Sequence, residues 1–70
     1  MQLTQYKIFD ITEHGNEYSV VWIDNSDLSI DQKVNFKEKS GDYFICRKYD
    51  TIDTDKIDIK KIKDPIYSLY

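Results

Sequence analysis

Alanine is absent from this 70-residue chain, and proline, cysteine, histidine and tryptophan occur once each. The single cysteine, Cys46, can close no disulfide within the chain and cannot build a cysteine-rich zinc site. His14, the single histidine, stands beside Gly15, and no serine, cysteine or carboxylate can be tied to it as a catalytic partner, so it reads as an exposed turn residue. No apolar run approaches the roughly 20 residues that span a bilayer. The opening stretch Met1–Lys7 lacks the apolar core of a signal peptide, and the expected location is the cytoplasm. Net charge is −3, far from the strongly basic footprint of a nucleic-acid binder and from the dense acidity of a mimic of nucleic acid. No catalytic, metal or nucleotide-binding signature is present, and no cofactor is expected.

Isoleucine, six tyrosines, three phenylalanines and Trp22 are what the chain has instead. β-Branched and aromatic side chains suit a pleated, half-buried surface and supply much area per residue. A domain of about this size buries only roughly 60% of the surface that its unfolded chain exposes, so each large side chain matters. Lysine greatly outnumbers the single Arg47, a balance that AT-rich coding produces, as in low-GC bacteria and their phages and mobile elements.

Alternation predicts the strands. From Leu28 to Lys37, Leu28, Ile30, Val34 and Phe36 fall on one face and Ser29, Asp31, Lys33, Asn35 and Lys37 on the other, which predicts a strand with one buried side. A second β-rich run, Tyr43 to Tyr49, follows Lys39-Ser-Gly-Asp42, and the two runs read as a hairpin. With Ser40 and Gly41 as the turn, Phe36 faces Ile45 and Lys33 faces Lys48; a three-residue loop sets Lys33 against Tyr49 instead. Upstream, Gln5 to Ile11 and Glu17 to Asp24 flank the turn Glu13-His14-Gly15-Asn16 as another hairpin. The first of these strands alternates imperfectly, which calls for two covered faces or a bulge near Ile8 and Phe9. The second is apolar on both faces and is the candidate central strand. Asp24 to Asp27 reads as a loop and Asp50 to Asp55 as a polar connection. Lys56 to Ile62 is a fifth strand or a single helical turn. Pro65 ends regular structure, and 64–70 forms a C-terminal tail.

These elements predict one all-β domain over 1–70, a small antiparallel β-meander of about five strands closing into an SH3-like barrel; a four-stranded sheet with a short C-terminal helical turn is the alternative. Ile8, Trp22, Val34, Phe36 and Ile45 are the expected core.

The candidate sites are few. Cys46, between Ile45 and Arg47, reads as a buried, inert thiol. Asp50, Asp53, Asp55 and Asp58 alternate like calcium ligands, but Ile57 and Asp58 stand where a ligand and the required glycine belong, and Asp53 or Asp55 is better read as capping the following segment. Gln2-Leu3-Thr4-Gln5-Tyr6 resembles a loose form of the bacterial sliding-clamp-binding peptide, departing at Gln5, where that peptide carries a hydrophobe. The apolar tail Ile66 to Tyr70 could add to another sheet edge, although folding back over an open barrel end is preferred.

A non-enzymatic module that binds a protein partner is the first functional reading, an accessory or inhibitory factor of a phage or mobile element being one such role. Its anchors would be Tyr43, Phe44 and Arg47 on the second hairpin, since tyrosine and arginine carry much of the energy at interfaces. A single-stranded nucleic-acid binder would use Lys33, Lys37, Lys39, Arg47, Lys48 and Tyr49. A subunit that completes its core by forming a homo-oligomer is the third reading.

Overall fold

The computed structural model describes residues 1–12, 15–24 and 27–70, without the side chains of residues 11, 12 and 16. Glu13 and His14 of the first turn and Asn25 and Ser26 of the second loop lie outside the described residues. The fold is all-β and barrel-like: β1 (Gln2–Thr12), β2 (Gly15–Asp24), β3 (Lys33–Val34), β4 (Tyr43–Asp53) and β5 (Ile66–Tyr67) form one curled sheet in the order β3-β4-β1-β2-β5. A 3-10 turn, Ile59–Lys61, lies between β4 and β5.

The β1–β2 hairpin pairs continuously from Leu3↔Asp24 to Thr12↔Gly15. β1, not β2, is the central strand, because the chain after β2 crosses to the far side of the sheet and β4 returns along the other edge of β1. The irregularity expected near Ile8 is a bulge on the partner strand. Lys7 faces Arg47 while Ile8 faces Ile45, so Cys46 is the extra residue. A second shift lies between Thr4↔Thr51 and Tyr6↔Lys48, where β4 again carries one residue more. Two bulges on β4 sharpen its bend and help the sheet to curl.

The inner face of the curl holds Tyr6, Ile8, Val21, Ile23, Leu28, Val34, Phe36, Tyr43 and Ile45 as one cluster. Four of the five expected core residues are buried; Trp22 is only half-buried, because its place in β2 turns it to the outer face, away from Val21 and Ile23. The Phe36 ring sits 5.3 Å from that of Tyr43 and 5.0 Å from that of Tyr67.

The predicted strand from Leu28 to Lys37 is mostly turn and loop. Asp31 takes a left-handed φ of 68°, which aspartate tolerates better than most residues. Gln32 N–H donates to the Ser29 carbonyl at 3.1 Å and Ser29 N–H to Gln32 Oε1 at 3.0 Å. Leu28 therefore drops into the core, its N–H donating to the Tyr6 hydroxyl at 3.0 Å, while Ile30 is left 53% exposed. Both expected hairpin registers are replaced by Lys33↔Phe44 and Val34↔Tyr43. The connection is a long loop, held by Asn35 Nδ2, which donates to the Gly41 carbonyl at 2.9 Å and to Asp42 Oδ1 at 2.6 Å.

The tail folds back. β5 runs parallel to β2 through Trp22↔Ile66 and Ile23↔Tyr67, and Leu69 then bridges to Phe36 beyond the opposite edge strand. Lys37 N–H donates to the Ser68 carbonyl and Ser68 N–H to Glu38 Oε2, at 2.9 and 2.8 Å, so residues 66–70 join the two sides of the curl. The segment 56–62 is the helical alternative rather than a strand. Asp58 Oδ1 accepts from Lys60 N–H as the N-cap, and Asp53 Oδ1 accepts from Asp55 N–H, which is turn chemistry, whereas the connection expected over Asp50 to Asp55 is mostly strand, because pairing with β1 carries β4 through to Asp53.

Candidate functional site

Directly opposed residues of neighbouring strands share a face of the sheet. The pairings Lys33↔Phe44, Phe44↔Phe9 and Phe9↔Tyr18 thus lay one row across β3, β4, β1 and β2 on the outer face. Phe9 lies at its middle, with ring centroids 5.3 Å from Tyr18 and 6.3 Å from Phe44, both tilted by 52°. These rings belong to no part of the core cluster: Tyr18 is 58% exposed, and Phe9 and Phe44 are half-buried. The next row holds Arg47, Lys7 and Val20. Lys7 Nζ stands 4.8 Å over the Tyr18 ring, and the Arg47 guanidinium lies 5.2 Å from the Tyr49 ring.

Between the rings and the bulge is a shallow hollow of about 430 Å³, lined by Phe9, Tyr18, Phe44, Cys46 and Asp31. Cys46 is half-exposed, not buried, because the bulge turns it to this outer face; its Sγ lies 3.8 Å from the Phe44 carbonyl oxygen. Asp10 and Asp42 border a second depression on the other flank of Phe44. The surroundings therefore carry both signs: Lys7, Lys33 and Arg47 stand in the outer rows, and Asp10, Asp31 and Asp42 line the two hollows.

The structure divides the residues singled out from sequence. Phe44, Arg47, Tyr49 and Lys33 come together on this face. Tyr43 does not: it is 3% exposed, packs in the core and donates its hydroxyl to the Ser40 carbonyl at 3.1 Å, because the register that sends Phe44 outward sends Tyr43 inward. Lys37 and Lys39 lie on the loop after β3, with Lys39 Nζ 5.7 Å from the Tyr43 ring. Lys48 shares the inner side with Tyr6 and is bonded to Asp27 at 2.9 Å, which raises its pKa. The clamp-peptide resemblance has no surface to act on, since Leu3 and Tyr6 are fully buried in the central strand.

Phe9, Tyr18 and Lys7 are functional candidates that the sequence reading passed over. Their signal was the outward parity of Lys7 and Phe9 once Tyr6 and Ile8 point inward. At the other end of the outer face a larger cleft, about 510 Å³, separates Trp22 and Ile52 from the segment carrying Ile57 and Ile62. Asp64 ties that segment to the sheet by accepting from Gln5 Nε2 at 3.1 Å.

No helix among the described residues is long and apolar enough to cross a membrane. Compared with protein-family models, with curated proteins and with solved structures, the chain matches none.

Proposed function

We propose that the protein is a binding module that engages a protein partner through the outer face of β4, β1 and β2. The observation that carries this reading is the in-register row Phe44–Phe9–Tyr18, three rings left on the surface of a domain too small to waste apolar area. Phe44 and Tyr18 are the anchors, with Lys7, Lys33 and Arg47 as charged rim. Aromatic side chains on a strand are rigid, so contact through them sacrifices little conformational entropy. The role is read as binding because the hollow is shallow and three of its five lining residues are aromatic. An accessory or inhibitory factor of a phage or mobile element fits the AT-rich composition.

Several features weigh against single-stranded nucleic acid. Lys7 already covers one face of Tyr18, the rings are tilted rather than laid out as a platform, Lys48 is engaged by Asp27, and Asp10, Asp31 and Asp42 would repel phosphate. The test is affinity capture with the intact protein at rising salt, run beside titration with short single-stranded oligonucleotides. A protein partner retained through moderate salt is expected. Micromolar oligonucleotide binding that weakens about a thousandfold or more between roughly 50 and 200 mM salt would assign the face to nucleic acid.

A further inference from the structure

β2 is ten residues long, yet only Trp22 and Ile23 carry a strand on the side away from β1. Trp22 donates its amide outward to the Pro65 carbonyl at 2.8 Å. Successive residues of a strand turn their backbone groups to alternate edges, so Val20, Tyr18 and Asn16 present N–H and C=O on that same outer edge, while Val21, Ser19 and Glu17 turn theirs to β1. No strand among the described residues covers this stretch. Proteins commonly blunt such an edge with lysine, proline or a bulge. Here the sequence is Glu17-Tyr-Ser-Val-Val21, in unbroken register with β1.

We infer that this edge pairs antiparallel with the same edge of a second copy of the chain, about a two-fold axis through Tyr18. The open stretch is self-complementary in that register. Pro65 bounds it at Trp22 and the hairpin turn bounds it beyond Gly15, so its three outward-facing residues are centred on Tyr18. The axis sets Tyr18 against its own copy and Asn16 against Val20 of the second copy, so all three backbone donors and acceptors find partners. A pairing centred on Ser19 would drive Asn16 against Trp22, whose amide Pro65 already holds. The Tyr18 register also keeps like charges apart, because Glu17 lands opposite Ser19 of the second copy and not opposite another Glu17. Tyr18 then meets its twin on the outer face, and the aromatic row runs through both copies. Contacts of this isologous two-fold kind are the commonest in soluble oligomers. The inference rests on the edge of β2 and not on the ligand of the outer face.

Sedimentation equilibrium of the intact protein, with Val20→Pro and Ser19→Lys beside it, tests the pairing. Val20 gives its amide to the edge and to nothing within the chain, so proline there removes an intermolecular donor and leaves the β1–β2 ladder whole. The parent should be a dimer and Val20→Pro a monomer. Ser19 is exposed, and a lysine there meets Glu17 of the other copy twice by symmetry, which should tighten the dimer about two- to thirtyfold. Should Val20→Pro lose its cooperative melt, Ser19→Lys carries the test alone. A parent that stays monomeric at the highest concentration reached, a folded Val20→Pro that dimerises like the parent, or a Ser19→Lys that loosens the dimer would each overturn the proposal.

Discussion

Phe36→Ala should remove at least about a third of the protein's stability at room temperature. Phe36 is 1% exposed, faces Tyr43 and Tyr67 at 5.3 and 5.0 Å, and bridges through its backbone to Leu69, so it joins the β3 side of the curl to the tail. Removing a buried phenylalanine costs about 3–5 kcal/mol through lost transfer energy and the cavity left behind. At about 0.05–0.15 kcal/mol per residue, a 70-residue domain has about 3.5–10 kcal/mol in all. One substitution therefore removes between a third and the whole of the stability. Urea denaturation followed by the fluorescence of Trp22, the only tryptophan, and by far-ultraviolet circular dichroism would measure it. Tyr18→Ala is the comparison: its ring is on the outer face and 58% exposed, and the expected loss is about 1 kcal/mol, from the Phe9 contact and the Lys7 cation. Equal losses for the two variants would refute the assignment of inner and outer faces.

Tyr6→Phe keeps the ring and strands the buried N–H of Leu28, so a loss of about 1–3 kcal/mol is expected in the same assay, and a change within error would remove that bond from the core. Gly41→Ala puts a Cβ at ordinary contact distance from the Tyr43 ring but forces alanine to a φ of 113°; a melting temperature lowered by several degrees is expected from about 1 kcal/mol or more of backbone strain. The Ser68 N–H holds the Glu38 carboxylate below its usual pKa of 4.5. A folded pKa lower than the unfolded one means that its contribution is present above 4.5 and is lost as pH falls through the depressed value, so the protection factor of the Ser68 amide, taken relative to intrinsic exchange at each pH, should fall on acidification and Glu38→Gln should abolish that dependence.

Local pattern was enough for the first hairpin and for strand class. The faces of that hairpin were not legible, because apolar Phe9, Tyr18 and Trp22 stand at outward positions, so that Trp22 reads as core and β2 as central, whereas Trp22 is half-buried on the outer face and β1 is the central strand. The same signal failed between Leu28 and Asp31, because a period of two cannot tell a strand from a turn whose aspartate enters the left-handed region and whose Gln32 side chain closes the loop. It failed again at Tyr43. Whether Tyr43 or Phe44 points outward depends on register, and register here is set by a loop held through Asn35, Gly41 and the Tyr43 hydroxyl, side-chain to backbone bonds that are local in sequence but that a period of two does not encode. The outer row needed one more non-local fact, the return of β4 to β1, which alone brings Phe44 beside Phe9. The single helical turn at Ile59 was one of two open readings, settled by the Asp58 cap.

The central claim, that Phe44, Phe9 and Tyr18 form the binding face while Tyr43 belongs to the interior, is tested most directly by comparing partner capture by the parent with that by the double variant Tyr18→Ser, Phe44→Ser, each first shown to melt cooperatively. The account predicts that the folded double variant loses the captured protein, with at least a tenfold fall in affinity, on the order of 1.4 kcal/mol. A folded double variant that captures the same partner as tightly as the parent would contradict it.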